Sequence, residues 1–404
     1  ASGMNARGWA FVVSAGKRWA QAGYFEGTSY DANSFFISLE KKISEKHSLN
    51  LTGMYTPNSR AKNSPNTTEV TQLTNAKYNS YWGFQDGKKR NARIKTIEEP
   101  TIMLNHYFKI NEKANLNSTV MYQFGKIANS NIDYQNANSP DPTYYRKMPS
   151  YYSSLYAPDN GEYSGAFTPD YENAEKSKAK FLAHPQIDWT ALYRANQNPI
   201  FDGNGTISGY EKAKSKYVLY EDQVEDETVA ATTNLSAQLS ENIFLNAGAA
   251  FKKLKSHNSQ QLLDLLGGSC FEDIDAFYNG DQSQSDLNNP DRQVGVGDTY
   301  GYNYNYFATT LEAFTQFKFT YNKVDFYLAQ HFARADYQRE GLYKNGIYAT
   351  NSFGKSEKVV FENFGFKAGF NLKISGKQLV TFNAAHLTKA PSLRNTFANS
   401  RLNN

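Results

Sequence analysis

The chain has 404 residues and a formal net charge of +4, with 40% hydrophobic residues against the roughly 45–50% of an average soluble domain. It nevertheless carries 29 Tyr and 27 Phe, which excludes the aromatic-poor composition of disordered chains. A single cysteine excludes an internal disulfide framework, the weak charge leaves no basic footprint for nucleic acid, and no run of about 18 apolar residues offers a membrane helix.

The first strand is predicted over 7–22, around Trp9-Ala10-Phe11-Val12-Val13, and the next two over 34–43 and 47–56. In the third, Leu49, Leu51 and Tyr55 share one face, with Ser48, Asn50 and Thr52 on the other. Strands over 98–110 and 114–125 follow, where Leu116, Val120, Tyr122 and Phe124 oppose Asn117, Thr119 and Gln123. In the pair 214–240 and 242–256, Val229, Ala231, Leu235, Ala237 and Leu239 oppose Thr232, Asn234, Ser236, Gln238 and Ser240. Strands over 301–320, 323–338, 357–374 and 376–390 complete about eleven. The clearest alternation sets Phe364, Phe366, Ala368, Phe370, Leu372 and Ile374 against Asn363, Gly365, Lys367, Gly369, Asn371 and Lys373.

The connections fall into two classes. Ser44-Glu45-Lys46, Asn111-Glu112-Lys113, Ser240-Glu241-Asn242, Tyr321-Asn322-Lys323 and Ser375-Gly376-Lys377 are tight polar turns. The segments 23–33, 57–97, 126–213, 257–300 and 340–356 are longer, and the two classes alternate. Short turns at one end and long loops at the other are the asymmetry of an outer-membrane barrel. A ten-residue strand tilted near 45° rises roughly 23 Å, which matches an apolar band of about 25 Å. The expected fold is therefore all-β: an antiparallel transmembrane β-barrel segment, one barrel domain over 1–404, with external loops at about 57–97, 126–213 and 257–300. Bacterial single-chain barrels have even strand numbers and lipid does not tolerate open edges, so the chain reads as a piece of a larger or processed protein.

Tyr24, Tyr30, Tyr55, Tyr107, Tyr122, Phe124, Tyr302, Tyr304 and Tyr306 are expected at the membrane interfaces, where one edge of the ring is apolar and the other wet. Glu312, Gln316, Lys318, Asn363, Lys367 and Asn371 are costly to bury and are candidates for lining a lumen. Tyr81, Trp82 and Phe84, with Tyr144, Tyr145, Arg146, Tyr151, Tyr152 and Tyr156, concentrate aromatic faces and a guanidinium in external loops. They are candidates for ligand binding by stacking and bidentate hydrogen bonds, set against simple packing of loop on loop. Ile200, Leu262, Leu263, Leu265 and Leu266 are expected to pin those loops down.

Little points to catalysis or metal. His47, His106, His184, His257, His331 and His386 are scattered, with no His-x-x-x-His spacing. Asp202-Gly203-Asn204-Gly205-Thr206 lacks the later ligands of a calcium loop and reads as a turn. Gly295-Val296-Gly297 lacks a third glycine and sits in a loop. Glu272, Asp273 and Asp275 read as a solvated acidic loop, and Cys270 as an ordinary loop thiol. Neither an enzyme nor a metal or cofactor site is expected.

Several segments, taken in order, carry a resemblance: ARGWAFVVSAGKRWAQAGYFEGTSYDANSFFISLEKKISEKHSLNLT at the start, YWGFQDGKKRNARI (81 to 94), PTIMLNHYFKINEKANL (100 to 116), DPTYYRKMPSYY (141 to 152), DLLGG (264 to 268), DLNNPDRQVGVGDTYGY (286 to 302), NGIYATNSFGKSE (345 to 357) and AHLTKAPSLRNTFANSR (385 to 401). Together they resemble the barrel of TonB-dependent outer-membrane receptors of the Bacteroidetes. The resemblance implies a 22-stranded barrel with an N-terminal plug and a TonB box, a ligand captured by external loops, and energy delivered through TonB with ExbB and ExbD. It implies outer-membrane lipids and a small-molecule or oligomer substrate as partners, with a surface lipoprotein as a further one. The plug, the TonB box and a closing strand with a terminal aromatic are expected to lie outside this chain. The expected function is energised uptake of a scarce nutrient: a ferric chelate, vitamin, oligosaccharide or peptide. The alternatives are a surface-binding barrel without TonB coupling and a soluble β-rich enzyme.

Overall fold

The structure is a computed structural model that describes residues 1–153 and 169–403, so Tyr156 lies outside the described residues. Eleven long strands form an antiparallel meander in which each pairs with the next in sequence. They are β1 (Trp9–Ala20), β2 (Tyr30–Lys42), β3 (His47–Tyr55), β4 (Thr101–Asn111), β5 (Ala114–Asp133) and β6 (Val218–Ser240). β7 (Ile243–Asp264), β8 (Thr299–Thr320), β9 (Val324–Gly341), β10 (Val359–Ser375) and β11 (Gln378–Leu387) follow. Tight turns and long loops alternate along the meander, which places all long loops at one end. β1 and β11 are each bonded on one side among the described residues. They run in the same direction, so they cannot pair antiparallel with each other.

The register separates two faces. One row crosses eight strands as Phe11, Leu39, Leu51, Leu104, Val120, Ala231, Phe251 and Leu311. Displaced by one residue, the opposite face reads Glu40, Asn50, Asn105, Thr119, Thr232, Ala250, Glu312, Ala333 and Asn363. Neighbours in that second row bond directly: Asn105 Nδ2 donates to Asn50 Oδ1 at 3.0 Å, and Thr119 Oγ1 to Asn105 Oδ1 at 2.8 Å. The apolar row is exposed, with Phe11, Leu51 and Val120 each at 50–54%. Exposed apolar side chains in unbroken rows are what a barrel wall presents to lipid.

Toward the long loops the sheet outgrows a membrane. β6 has 23 residues, about twice the 9–11 needed to span, so its outer half projects beyond the apolar band. The predicted ends at 125 and 256 fall short here, because β5 continues to Asp133 and β7 to Asp264. Above the bilayer both faces can be wet, and the period-two signal fades. In this region Asn58–Ala61 continues β3, pairing with Tyr30–Ala32, while Ile94–Glu98 leads into β4 and pairs with Lys126–Asn129. The interruptions hold Pro57 and Pro100, which lack the N–H a ladder requires. Gly125, at φ +133°, lies against the second break, where a Cβ would sit 1.9 Å from the Glu98 carbonyl oxygen.

The expected interfacial belt is only partly present. Tyr55, Tyr122 and Phe124 lie on the apolar face, and Tyr24 is exposed beside it in a loop. Tyr30, Tyr107, Tyr304 and Tyr306 instead share the polar face, and Tyr302 turns its hydroxyl to Asp222 there at 2.7 Å. Aromatic content at strand ends does not encode which face a ring takes; the parity of its position does.

The long loops carry their own core. Trp189, Leu266, Ile132, Ile187, Leu192 and Tyr217 are buried together. Helix α4 (Trp189–Ala195) supplies Trp189 and Leu192 to it; α1 (Thr68–Leu73), α2 (Pro149–Ser153) and α3 (Tyr171–Ala183) stand elsewhere in the loops, with α5 (Leu393–Thr396) near the end of the chain. Asp170 and Asp188 cap α3 and α4 by accepting from the Asn173 and Ala191 amides, each at 2.9 Å. α3 buries Ala174 and Phe181, seven residues apart on one stripe.

Candidate functional site

Two regions of interest meet at the long-loop end: the concave polar face and the loops above it. A cavity of about 860 Å³ opens on the polar face of β6–β11, and Glu312, Gln316, Asn363 and Lys367 all line it. Lys318 and Asn371 stand on the same face nearer the short turns, opposite Tyr327 and Asp325 respectively. Asn371 Oδ1 accepts from Thr381 at 2.8 Å. Sequence reasoning passed over Lys252 and His331, which also line the cavity, with His331 Nε2 3.6 Å from Glu312 Oε2. Each shares strand parity with the polar face, so parity alone would have found them.

The loop aromatics separate into two groups. Trp82 is 4% exposed, too buried to meet a ligand. Gly27, at φ +64°, lies so close that a Cβ there would be 2.0 Å from the indole, and Lys89 Nζ sits 4.7 Å from the ring centroid. Tyr81 is covered by the Arg93 guanidinium at 4.9 Å. Phe84, 57% exposed, meets Trp82 edge-on at 5.3 Å. In the second group Tyr144, Tyr145, Tyr151 and Tyr152 form a chain of edge contacts at 4.8, 5.6 and 5.2 Å. Below them Val70, Tyr78, Met148 and Phe181 make a small core that joins the loops. Tyr78 donates its hydroxyl to the Pro185 carbonyl at 2.5 Å, and burial pushes its pKa well up.

Arg146 Nε donates to the Tyr145 hydroxyl at 2.8 Å, which holds the Tyr145 phenol below and the Arg146 guanidinium above their ordinary pKa values. Burial, then the hydrogen bond with Tyr145, pushes Tyr144 the other way. Arg146→Gln removes the cation, so the lowest tyrosine ionisation in an ultraviolet titration is expected to move up in pH. An unchanged titration would show that this pair does not form in solution.

The acidic loop is only partly solvated, contrary to the sequence reading: Glu272 stays partly exposed while Asp273 and Asp275 are largely withdrawn from water. Glu272 pairs with Lys214, Asp273 with Arg292, and Asp275 with Arg401. Asp273 is 3% exposed, because Arg292 also bonds the Thr299 carbonyl and Tyr343 and draws the carboxylate inward. Arg90 reaches Asp264 at 2.7 Å and lies 4.4 Å above Trp189, linking the loop core to the end of β7. Leu262 and Leu266 are fully buried, Leu262 within β7 itself, whereas Ile200 is 43% exposed on the ribbon Gln197–Phe201/Ile207–Lys212 and pins nothing. Asp202–Thr206 is the tip of that ribbon, with Asp202 Oδ1 accepting from the Asn204 and Thr206 amides. Cys270 is a free thiol bonded to Gln293 Oε1 at 3.3 Å. Two histidines that look scattered in sequence meet: His47 Nδ1 and His106 Nε2 are 3.0 Å apart, since β3 and β4 place them on diagonal positions. Among the described residues no group of three or more His, Cys, Asp or Glu has metal-binding geometry.

No family model and no curated protein matches the chain. Solved structures do. The ferric citrate transporter FecA in its unliganded form matches with TM-score 0.54 and 6% identity, over 95% of this chain and 40% of that one. The siderophore receptor PiuA from Acinetobacter baumannii matches with TM-score 0.52 and 12% identity, over 92% of this chain and 44% of that one. The copper transporter OprC matches with TM-score 0.50 and 7% identity, over 94% and 40%. The chain thus spans less than half the length of these three proteins. At such identity the likeness speaks for architecture, and in architecture this chain has the antiparallel β-barrel fold of outer-membrane receptors.

Proposed function

We propose that the chain is the barrel portion of a TonB-dependent receptor, of the Bacteroidetes type that its segments resemble. Such a receptor sits in the outer membrane and imports a scarce nutrient. The observation that carries this reading is the pairing of an outward apolar face with a polar concave face, capped at one end by loops that fold into a core of their own. An apolar exterior fits lipid, a polar interior fits a hydrated path or a docked plug, and ordered loops fit capture of a ligand from outside. Glu312, Gln316, Lys318, Asn363, Lys367 and Asn371 line the path in this reading. Exposed Tyr145 and Arg146, with half-buried Tyr144, Tyr151 and Tyr152 packed around them, supply the recognition surface, while Tyr81 and Trp82 hold the loops beneath it. The matched structures are a ferric citrate transporter, a siderophore receptor and a copper transporter, which puts a metal or metal chelate first among the substrate classes. No step of covalent chemistry is required of the protein.

The test is growth of the source bacterium on single limiting nutrients: ferric chelates, cobalamin, oligosaccharides or peptides. Deleting the encoding gene is expected to abolish growth on one class, and deleting TonB to reproduce that defect. A defect in surface binding that is indifferent to TonB would replace this reading with a surface-binding barrel.

A further inference from the structure

Arg339 stands apart from the other cations of the loop end. It is 2% exposed, yet among the described residues no carboxylate pairs with it. Its partners are neutral oxygens: the Ser352 carbonyl at 3.1 Å, the Ser400 carbonyl at 2.6 Å and Asn403 Oδ1. Its Nε is buried with no partner, and the guanidinium lies 4.8 Å from the centroid of the Tyr304 ring. A desolvated guanidinium is costly unless an anion answers it, and its planar fork matches a carboxylate.

Two of these partners belong to the segment after β11. Phe397, 3% exposed, stacks on Tyr306 at 5.3 Å and 24°, and Arg401 reaches Asp275 at 2.5 Å. Register places Arg339 opposite Tyr306, on the polar face that holds Glu312. Tyr306 is six residues from Glu312, about 20 Å farther out along the strand. The cavity lining ends at Thr388, Lys389 and Ala390, where this segment begins. Residues 391–403 thus form a strap across the outer end of the polar face, presenting oxygens to Arg339 and a flat ring to Tyr306.

We propose that Arg339 and Tyr306 form a binding site for an aromatic carboxylate, and that the strap occupies this site in the absence of that ligand. The carboxylate takes the guanidinium fork now shared by Ser400 and Asn403, and its ring takes the place of Phe397. Ligand and strap therefore exclude each other, so binding opens the outer end of the cavity. The proposal rests on the polar face being the lumen, but it is read from binding alone and does not depend on energy coupling.

The test measures benzoate binding, by calorimetry in detergent, to the complete protein of which this chain is the barrel portion, with retention of the heat-sensitive folded band on gels as the control for folding. Loosening the strap with Phe397→Ala and Asn403→Ala together is expected to tighten benzoate at least tenfold. Arg339→Gln is expected to abolish binding in both backgrounds. Should that variant not fold, Arg339→Lys keeps the charge without the fork and is expected to weaken benzoate at least tenfold. Saturating benzoate is also expected to speed tryptic cleavage after Arg394 in the parent chain severalfold. Affinity unchanged by loosening the strap, binding that survives loss of the fork, or cleavage indifferent to benzoate would each overturn the proposal.

Discussion

Phe370→Arg is expected to destabilise the reconstituted barrel by about 2–4 kcal/mol, whereas Asn371→Arg one position on is expected to change stability by no more than about 0.5 kcal/mol. Phe370 lies on the apolar face between Phe326 and Phe382, and its ring stacks on Phe382 at 5.7 Å. It is five residues above the turn after β10, about 12 Å up a strand tilted near 45°, which is close to the middle of a 25 Å band. A guanidinium there has only hydrocarbon around it. Asn371 faces the other way, opposite Asp325, so an arginine at that position meets water and a carboxylate. Urea unfolding in lipid vesicles measures both. Equal costs at the two positions would mean that the faces are assigned wrongly, or that this sheet is not a membrane wall.

The same alternation explains what could be read from sequence. Within the bilayer one face of every strand must be apolar, so the signal in Phe364–Ile374 or Leu116–Phe124 is strong, and all eleven long strands were recognisable. Outside it the constraint lapses. Lys126–Asp133 and His257–Asp264 continue as paired strands, yet their sequences, KIANSNID and HNSQQLLD, show little alternation. Tyr304 and Tyr306 mislead for a related reason: tyrosine suits both an interface and a polar cluster, and only the parity shared with Glu312 tells them apart.

The loop end was harder to read. The helices α3 and α4 carried usable signals in Asp170 and Asp188, each followed by good helix formers, but the surrounding polar stretch hid them. Trp82 looked like a ligand-stacking residue because exposure is not written in composition; the close approach of Gly27 that buries it comes from a different loop. Arg339 gave no signal at all, since its partners Ser352, Ser400 and Asn403 are 13, 61 and 64 residues away.

Asn196 is the extreme case, and it leads to the second large effect. Nothing in the sequence separates it from the other asparagines, but it is fully buried at the end of α4. Its Nδ2 donates to the carbonyls of Tyr217 at 2.7 Å, Leu265 at 2.9 Å and Leu266 at 3.1 Å. Its Oδ1 accepts from the amides of Lys216 at 2.7 Å and Tyr217 at 3.0 Å. One side chain thereby ties α4 to the start of β6 and to the loop leaving β7. Asn196→Leu keeps the size and strands these groups without partners, at about 1–3 kcal/mol for each that water cannot reach. Leu265 O is spared in part, because Ser215 Oγ and the Gly268 amide also donate to it. The expected loss is therefore about 3–5 kcal/mol, confined to the loop core, since the barrel ladders below do not pass through Asn196. Amide hydrogen exchange at 213–217 and 262–268 is expected to accelerate by a hundredfold or more at an unchanged rate in β2–β4. Asn196→Asp keeps both acceptor bonds and sets a carboxylate against three carbonyls, so it is expected to be no milder. Exchange that stays slow in either variant would show that the hydrophobic contacts of Trp189 and Leu266 hold the loops without it.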